Sequence, residues 1–459
     1  MRHVFQESHA DTPATPVTPI AAAALDDWRQ TASPADAAWV TAQGFTAKAG
    51  KTVPLPGADG TVARILFGLG DEGDPFVYGA LARALQPGDY VLDPVPENAD
   101  RALLGFALGT YAFDRYTSAS KSDPVRLRIP ADTDAEDVAR IARAVFLARD
   151  LINTPASDMG PAELEDAARS LCNQFDARLS VTTGDQLLGA NYPMIHAVGR
   201  ASDRAPRLLD MTWGRADAAK ITVVGKGVCF DTGGLNLKPG NYMALMKKDM
   251  GGAAAAMALA QMIMARGLDV RLRLLVAAVD NAIGGNAFRP GDVLASRKGL
   301  SVEIGNTDAE GRLILADALA DADSETPDLL VDFATLTGAA RVALGPDVAP
   351  FYTKDDAVAR EIAHAAEAVA DPVWRMPLWA PYDAWLDSKV ADLNHISDGP
   401  FAGSITAALF LNRFVTQTPS YVHFDIYAWN AKPRPGRPVG GDLHAARALY
   451  HVLCHRYGS

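Results

Sequence analysis

Four acidic side chains, Asp231, Asp249, Asp308 and Glu310, sit in two Gly-rich stretches that also carry Lys226, Lys238 and Arg312. The first runs Val223-Val224-Gly225-Lys226-Gly227-Val228-Cys229-Phe230-Asp231-Thr232-Gly233-Gly234 and continues through Lys238 to Met246-Lys247-Lys248-Asp249-Met250-Gly251-Gly252. The second is Asn306-Thr307-Asp308-Ala309-Glu310-Gly311-Arg312. Each reads as a loop that follows a strand and precedes a helix. Carboxylates converging on one cavity repel, and each drives up its neighbours' pKa unless cations neutralise them. Two divalent metals are the simplest neutralisers, and oxygen-rich ligation suits zinc, manganese or magnesium. Asp308 and Glu310 are two apart, so in extended backbone they point to the same side. A single acid in a loop is more often solvated than ligating; the joint pattern is what points to a metal centre.

The elements that would position these loops follow from the apolar pattern. From about residue 160 strands and helices alternate: strands at 220–224, 270–279, 301–304, 329–333 and 421–426, helices at 251–266, 312–322, 405–415 and 442–453. Such alternation implies an α/β fold with a largely parallel or mixed sheet covered by helices on both faces. In open sheets of this kind, sites gather at the carboxyl ends of strands. Upstream, 62–67 and 125–129 read as strands, 78–85 and 99–111 as helices, in a smaller α/β N-terminal domain. Residues 1–20 read as a loose lead-in, with Pro13, Pro16 and Pro19 blocking regular structure. The predicted organisation is an N-terminal domain at 1–130, a linker helix within 131–153, and a catalytic domain at 154–459.

Composition narrows the alternatives. The chain carries 43 Lys and Arg against 55 Asp and Glu, a net charge of −12, which argues against nucleic-acid or anionic-membrane binding. No apolar run reaches the ~18 residues of a membrane span, and no secretory signal opens the chain, so cytoplasm is the expected location. The three cysteines, Cys172, Cys229 and Cys454, have no metal-ribbon or disulfide spacing and read as reduced thiols. Ala49-Gly50-Lys51-Thr52 fails as a phosphate loop because Phe45 stands where a glycine is required. There is no HExxH helix and no GxSxG elbow. His395 and His423 read as structural residues rather than catalysts.

Residues 306–312 spell NTDAEGR, and this heptapeptide resembles the signature of the leucyl aminopeptidase family of cytosolic metallopeptidases. Lys226, Asp231, Lys238 and Asp249 stand at that family's spacing, and the likeness covers roughly residues 140–459, including Arg149-Asp150-Leu151-Ile152-Asn153-Thr154-Pro155. The first 130 residues are consistent with the family's variable N-terminal domain.

The resemblance implies a two-metal aminopeptidase acting on peptides with a free N-terminus, by attack of a metal-bridging hydroxide. It implies one ion held by Lys226, Asp231, Asp249 and Glu310, and a second by Asp231, Asp308 and Glu310. Lys238 would face the substrate carbonyl. Arg312 would hold a bicarbonate ion as general base. Met246, Asn306, Thr335, Leu336 and Gly338 match substrate-cleft positions, and Tyr427 and Asn430 fall where relatives carry small or thioether residues in the side-chain pocket. That departure puts a preference for leucine in doubt. A homohexamer is implied as well. The competing readings are a non-catalytic or DNA-binding assembly protein on the same scaffold, and a two-metal phosphatase, for which no basic clamp beyond Lys238 and Arg312 is present.

Overall fold

The computed structural model describes residues 5–6, 13–71, 73–118 and 123–458. The chain divides into two units, Met1–Phe146 with Ala431–Val439, and Leu147–Asn430 with Gly440–Ser459. Each is α/β and is built on a mixed sheet. The boundary near residue 146 falls inside one helix, Ala135–Asn153, which overlaps the expected linker. The short return of 431–439 to the first unit has no counterpart in the sequence reading.

The first unit holds a six-stranded sheet in the order Phe5–Gln6, Val125–Arg128, Gly88–Leu92, Thr15–Ala21, Val62–Gly70, Thr52–Pro56. Thr15–Ala21 lies in the middle of it, so the expected loose lead-in is corrected over that stretch; residues 1–4 and 7–12 lie outside the described residues. The prolines are tolerated because of where their missing N–H groups face. Val17 O accepts from Asp93 N at 2.9 Å, so odd-numbered backbone groups face the 88–92 side. Pairing on that side ends at Val17↔Leu92, before Pro19, and pairing with 62–70 begins at Val17↔Ile65, after Pro16. Each proline thus points its donorless nitrogen past the end of a ladder.

The second unit is organised by eight strands: β1 (Arg178–Thr183), β2 (Arg207–Gly214), β3 (Ala219–Asp231), β4 (Val270–Asn281), β5 (Leu329–Ala334), β6 (Ala349–Thr353), β7 (Val373–Arg375) and β8 (Tyr421–Asp425). Their spatial order is β7-β6-β8-β5-β3-β4-β2-β1. The four central strands, β8, β5, β3 and β4, run parallel, and antiparallel neighbours flank them. The central strands are buried on both faces, which is why they read as near-continuous apolar runs rather than as alternating ones.

Two helices cover the centre of this sheet, α1 (Gly251–Arg266) and α2 (Glu310–Ser324). They lie on opposite faces. Gly225 faces α1, where a Cβ would come within 2.6 Å of Ala253 Cα, whereas its neighbour Lys226 reaches Gly311 of α2. Consecutive strand residues point to opposite sides, so the helices sandwich β3 between them. An alanine-rich α1 suits this close approach, and all its residues but Gln261, Ala265 and Arg266 are buried. No helix among the described residues is long and apolar enough to cross a membrane.

Candidate metal centre

β3 delivers two of the predicted residues. Lys226 lies within the strand and Asp231 ends it, so neither is in a loop as the sequence suggested. In a regular strand, residues five apart face opposite sides. Here the pairing with β4 steps from Val279↔Val228 to Asp280↔Phe230, leaving Cys229 as an extra residue. That bulge turns Asp231 onto the face of Lys226. Asp249 occupies the short helical turn Met246–Met250, which leads directly into α1. Asp308 sits in the turn Thr307–Ala309, and Glu310 is the first residue of α2. The last two are therefore brought together on helical rather than extended backbone, which corrects the expected geometry.

Thr307 stitches the two motif stretches together. Its hydroxyl donates to Gly233 O at 2.7 Å and accepts from Asn236 N at 2.8 Å, while Thr307 N donates to Asn236 Oδ1 at 2.9 Å. Asn281, at the end of β4 and wholly buried, reaches Asp231 Oδ1 at 2.8 Å and Thr307 O at 3.0 Å with its amide. Sequence reasoning missed Asn281; its signal was a polar residue ending a long apolar strand.

Two lysines thread the acids. Lys226 Nζ lies 2.8 Å from Asp249 Oδ2 and 3.0 Å from Glu310 Oε1, and it donates to Thr335 O at 2.9 Å. Lys238 Nζ lies 2.8 Å from Asp231 Oδ2 and 2.5 Å from Asp308 Oδ1. Burial pushes the Glu310 carboxyl up to about 8, with Asp231 and Asp249 adding to it, and pushes Asp231 up to about 6, with Asp249 adding. Burial acts the same way on Asp249, but Lys226 and Lys248 outweigh it and hold that carboxyl low. Burial opposes the charge on Lys226, yet Asp249 and Glu310 win and raise its pKa. Lys238 is raised likewise by Asp231 and Glu310.

Even so, the cluster is undersatisfied. Asp249 Oδ2, Asp308 Oδ1 and Glu310 Oε1 are buried atoms with no partner beyond their ion pairs with Lys226 and Lys238. Buried polar atoms are normally paired, and orphans call for a reason. Ligand oxygens of Asp231, Asp308 and Glu310 all fall within 4.8 Å of one another. Carboxylate oxygens of three residues at that spacing, beside the Lys226 nitrogen, fit a divalent cation.

A cleft of about 480 Å³ opens on the cluster. Lys226, Asp231, Lys238, Asp249 and Asp308 line it, together with the predicted Met246, Thr335, Leu336, Gly338 and Tyr427. Glu310, Arg312, Asn306 and Asn430 are not on its wall. Asn306 instead shapes the turn, its side chain accepting from Asp308 N at 2.8 Å. Asn430 is buried where the short strands Trp429–Asn430 and Gly440–Gly441 pair, so it does not shape the pocket surface as expected. Arg312 is buried, its Nη1 donating to His395 O at 2.7 Å, and burial lowers it to about 10. His395 is a strut: Nε2 bonds Asn306 O at 2.9 Å, and burial with Arg312 beside it drives its pKa down to about 3.

The cleft also contains residues the sequence did not flag. Lys248 is 6 % exposed and stands 4.9 Å from the centre of the Tyr427 ring, and the Arg341 guanidinium stands 4.9 Å from the same ring. Burial lowers Lys248 to about 8, so it remains mostly protonated at neutral pH. Asp425 anchors this wall by accepting from Leu336 N and Thr337 N, each at 3.0 Å, just ahead of the helix Gly338–Leu344 that carries Arg341.

Gly311 sets how closely α2 approaches β3. A Cβ there would meet Lys226 Cε at 2.5 Å and Nζ at 2.8 Å. Gly311→Ala is expected to displace the Lys226 amine and to lower kcat/KM by roughly 10–100-fold, the scale seen when a metal ligand loses its support. Steady-state kinetics beside a circular-dichroism check of folding measure this; wild-type kinetics would show that Lys226 needs no such clearance.

Comparison with known proteins agrees with the geometry. The model of the cytosol aminopeptidase family catalytic domain matches residues 146–448, and that of the M17 aminopeptidase N-terminal domain matches 15–130. A probable cytosol aminopeptidase of Roseiflexus castenholzii is 40% identical over 379 residues, covering 79% of this chain and 77% of the relative. Peptidase B of Pectobacterium carotovorum is 42% identical over 309 residues, covering 65% of this chain and 70% of the relative. Among solved structures, the cytosol aminopeptidase of Coxiella burnetii superposes with a TM-score of 0.94 at 44% identity, covering 99% of each chain. The bottromycin maturation enzyme BotP in complex with Mn has a TM-score of 0.87 at 33% identity, covering 97% of this chain and 100% of BotP. With its catalytic and N-terminal domains both matched, the chain belongs to the cytosol aminopeptidase family, and its activity is that of a metallo-aminopeptidase.

Proposed function

We propose that the acid cluster holds two divalent cations, zinc or manganese with magnesium as a third option, and that the cleft beside it removes the N-terminal residue from peptides. The convergence of Asp231, Asp308 and Glu310 within 4.8 Å, with buried oxygens satisfied only by two lysines, carries this reading. Lys226, Asp231, Asp249 and Glu310 would hold one ion, and Asp231, Asp308 and Glu310 the other. When bound, the cations supply Lewis acidity and an acidified water, and a bicarbonate supplies a general base.

The chain's own residues do the rest. Lys238 keeps its proton, because Asp231 and Glu310 favour its charged form, and so can donate to the scissile carbonyl oxygen as negative charge develops there. Thr335 holds Asp249 in place through a 2.8 Å hydrogen bond from Oγ1 to Oδ1, and its carbonyl accepts from Lys226. Arg312 spends one nitrogen on His395 O, and its planar fork suits bidentate binding of bicarbonate. Asn281 keeps Asp231 and the 306–312 loop in register. Lys226 must give up its proton to ligate, so cation binding and the lysine–carboxylate ion pairs exclude each other. We infer a cytoplasmic location and a hexameric assembly from the family alone; sedimentation measures the latter.

The test compares a free-amine peptide with its Nα-acetyl analogue in excess Mn²⁺ or Zn²⁺, with metal content measured in parallel. The expected result is two ions per chain and a rate at least roughly 10³-fold slower on the blocked peptide. Equal rates on both would refute the exopeptidase reading, and a chain that binds no divalent ion would refute the metal centre.

A further inference from the structure

Lys248 and Arg341 are the unexplained charges of the cleft. Lys248 precedes Asp249, yet Asp249 spends its carboxylate on Lys226 and Thr335. Among the described residues, neither the Lys248 nor the Arg341 side chain makes a hydrogen bond or an ion pair. The adjacent Lys247 provides the contrast, since its Nζ is tied to Asn153 O at 2.6 Å. Lys248 is buried and feels Asp249 only through the field, without an ion pair, and Arg341 is half-buried; a buried cation is normally paired directly. The Tyr427 ring face offers both cations a partial substitute. Lys248 and Arg341 line the same cleft as Met246, Leu336 and the acid cluster. Both are held on pinned backbone, the 246–250 turn and the Asp425-anchored helix.

We propose that Lys248 and Arg341, gathered over the Tyr427 ring, form a carboxylate-recognising wall in the side-chain pocket, so that the enzyme prefers peptides beginning with Glu or Asp. This rests on the aminopeptidase reading above and names its substrate class. A glutamate side chain in the pocket would satisfy both cations with two charged oxygens, whereas its isostere glutamine offers one neutral acceptor and turns an amide N–H toward the other cation. Specificity of this sort arises because the wrong side chain leaves buried groups unpaired.

The experiment uses the full chain with Mn²⁺ and reads turnover and binding separately. Glu-, Gln-, Asp-, Asn-, Leu- and Met-anilides are compared, none of which carries a C-terminal carboxylate. Free L-glutamate and L-glutamine are compared by calorimetry. We expect Glu over Gln and Asp over Asn by at least about tenfold in kcat/KM, with glutamate the tighter ligand and its binding weakened by salt. Lys248→Met and Arg341→Met should each cut the Glu/Gln ratio at least about fivefold, whatever they do to overall turnover. Equal rates for Glu and Gln, or a Glu/Gln ratio unchanged in both variants, would overturn the proposal and leave a purely structural cation–ring stack. A preference seen only with substrates bearing a free C-terminal carboxylate would overturn it too. Should no anilide turn over, the aminopeptidase reading fails, and glutamate-versus-glutamine binding still decides the pocket.

Discussion

Replacing Glu310 by alanine should abolish metal binding and lower kcat/KM by at least about 10³-fold, beyond the 10–100-fold typical of outer-shell partners. Glu310 is the first residue of α2, wholly buried, with one oxygen 3.0 Å from Lys226 and no hydrogen bond on that oxygen. Its removal deletes an oxygen from both proposed ion positions. It also relieves repulsion with Asp231 and Asp249, so the folded chain should persist. Glu310→Gln keeps the shape but lacks the charge, and should fail nearly as badly. Metal analysis and kinetics on the same preparations are the measurement. Two ions per chain in Glu310→Ala would contradict the assignment.

Chelation should abolish turnover, and re-added Mn²⁺ or Zn²⁺ should restore it. The metal-free protein should also show a distinctive pH response. Burial raises Glu310 from 4.5 to about 8 and Asp231 from 3.8 to about 6. Between their unfolded and folded pKa values, the folded state binds protons that the unfolded state has released. Stability of the metal-free chain therefore carries a falling contribution from these two groups as pH rises from about 4 to 8. Lys226 is shifted upward and stays protonated throughout that window, so it does not offset the trend. Cation binding displaces these protons and strengthens as pH rises. The gain in Tm on adding Mn²⁺ should be larger at pH 8 than at pH 6. Thermal unfolding at both values, with and without chelator, gives the answer; a gain that shrinks with pH would contradict protonated Glu310 and Lys226 as the groups displaced.

Much of the catalytic unit was legible because its central strands are buried on both faces and its helices are long. The run 270–279 and the alanine-rich 251–266 could be little else. The acids and lysines were legible because the heptapeptide at 306–312 and its upstream partners form one pattern. Local pattern could not show how they meet. The strand reading stopped at Val224 because Gly225 and Gly227 look like a turn, whereas burial between α1 and α2 keeps β3 extended to Asp231. Pro16 and Pro19 hid a central strand because only pairing partners reveal which ladder a missing donor faces. Tyr427 was noticed as a departure, but its two cationic neighbours come from segments about 90 and 180 residues away, which no local window joins.

The bulge at Cys229 has one more consequence. Side-chain direction along a strand flips with each residue, so the stretch between Lys226 and Asp231 keeps a parity, and the unpaired residue is what makes that parity even. Drawing the bulge flat with every residue kept would swing the Asp231 carboxylate toward the packed alanines of α1, stranding a charge in hydrocarbon and opening the ion cage at once, whereas removing Cys229 outright leaves a regular strand with the same facing. The segment thus tolerates the loss of its extra residue but not the loss of its kink alone.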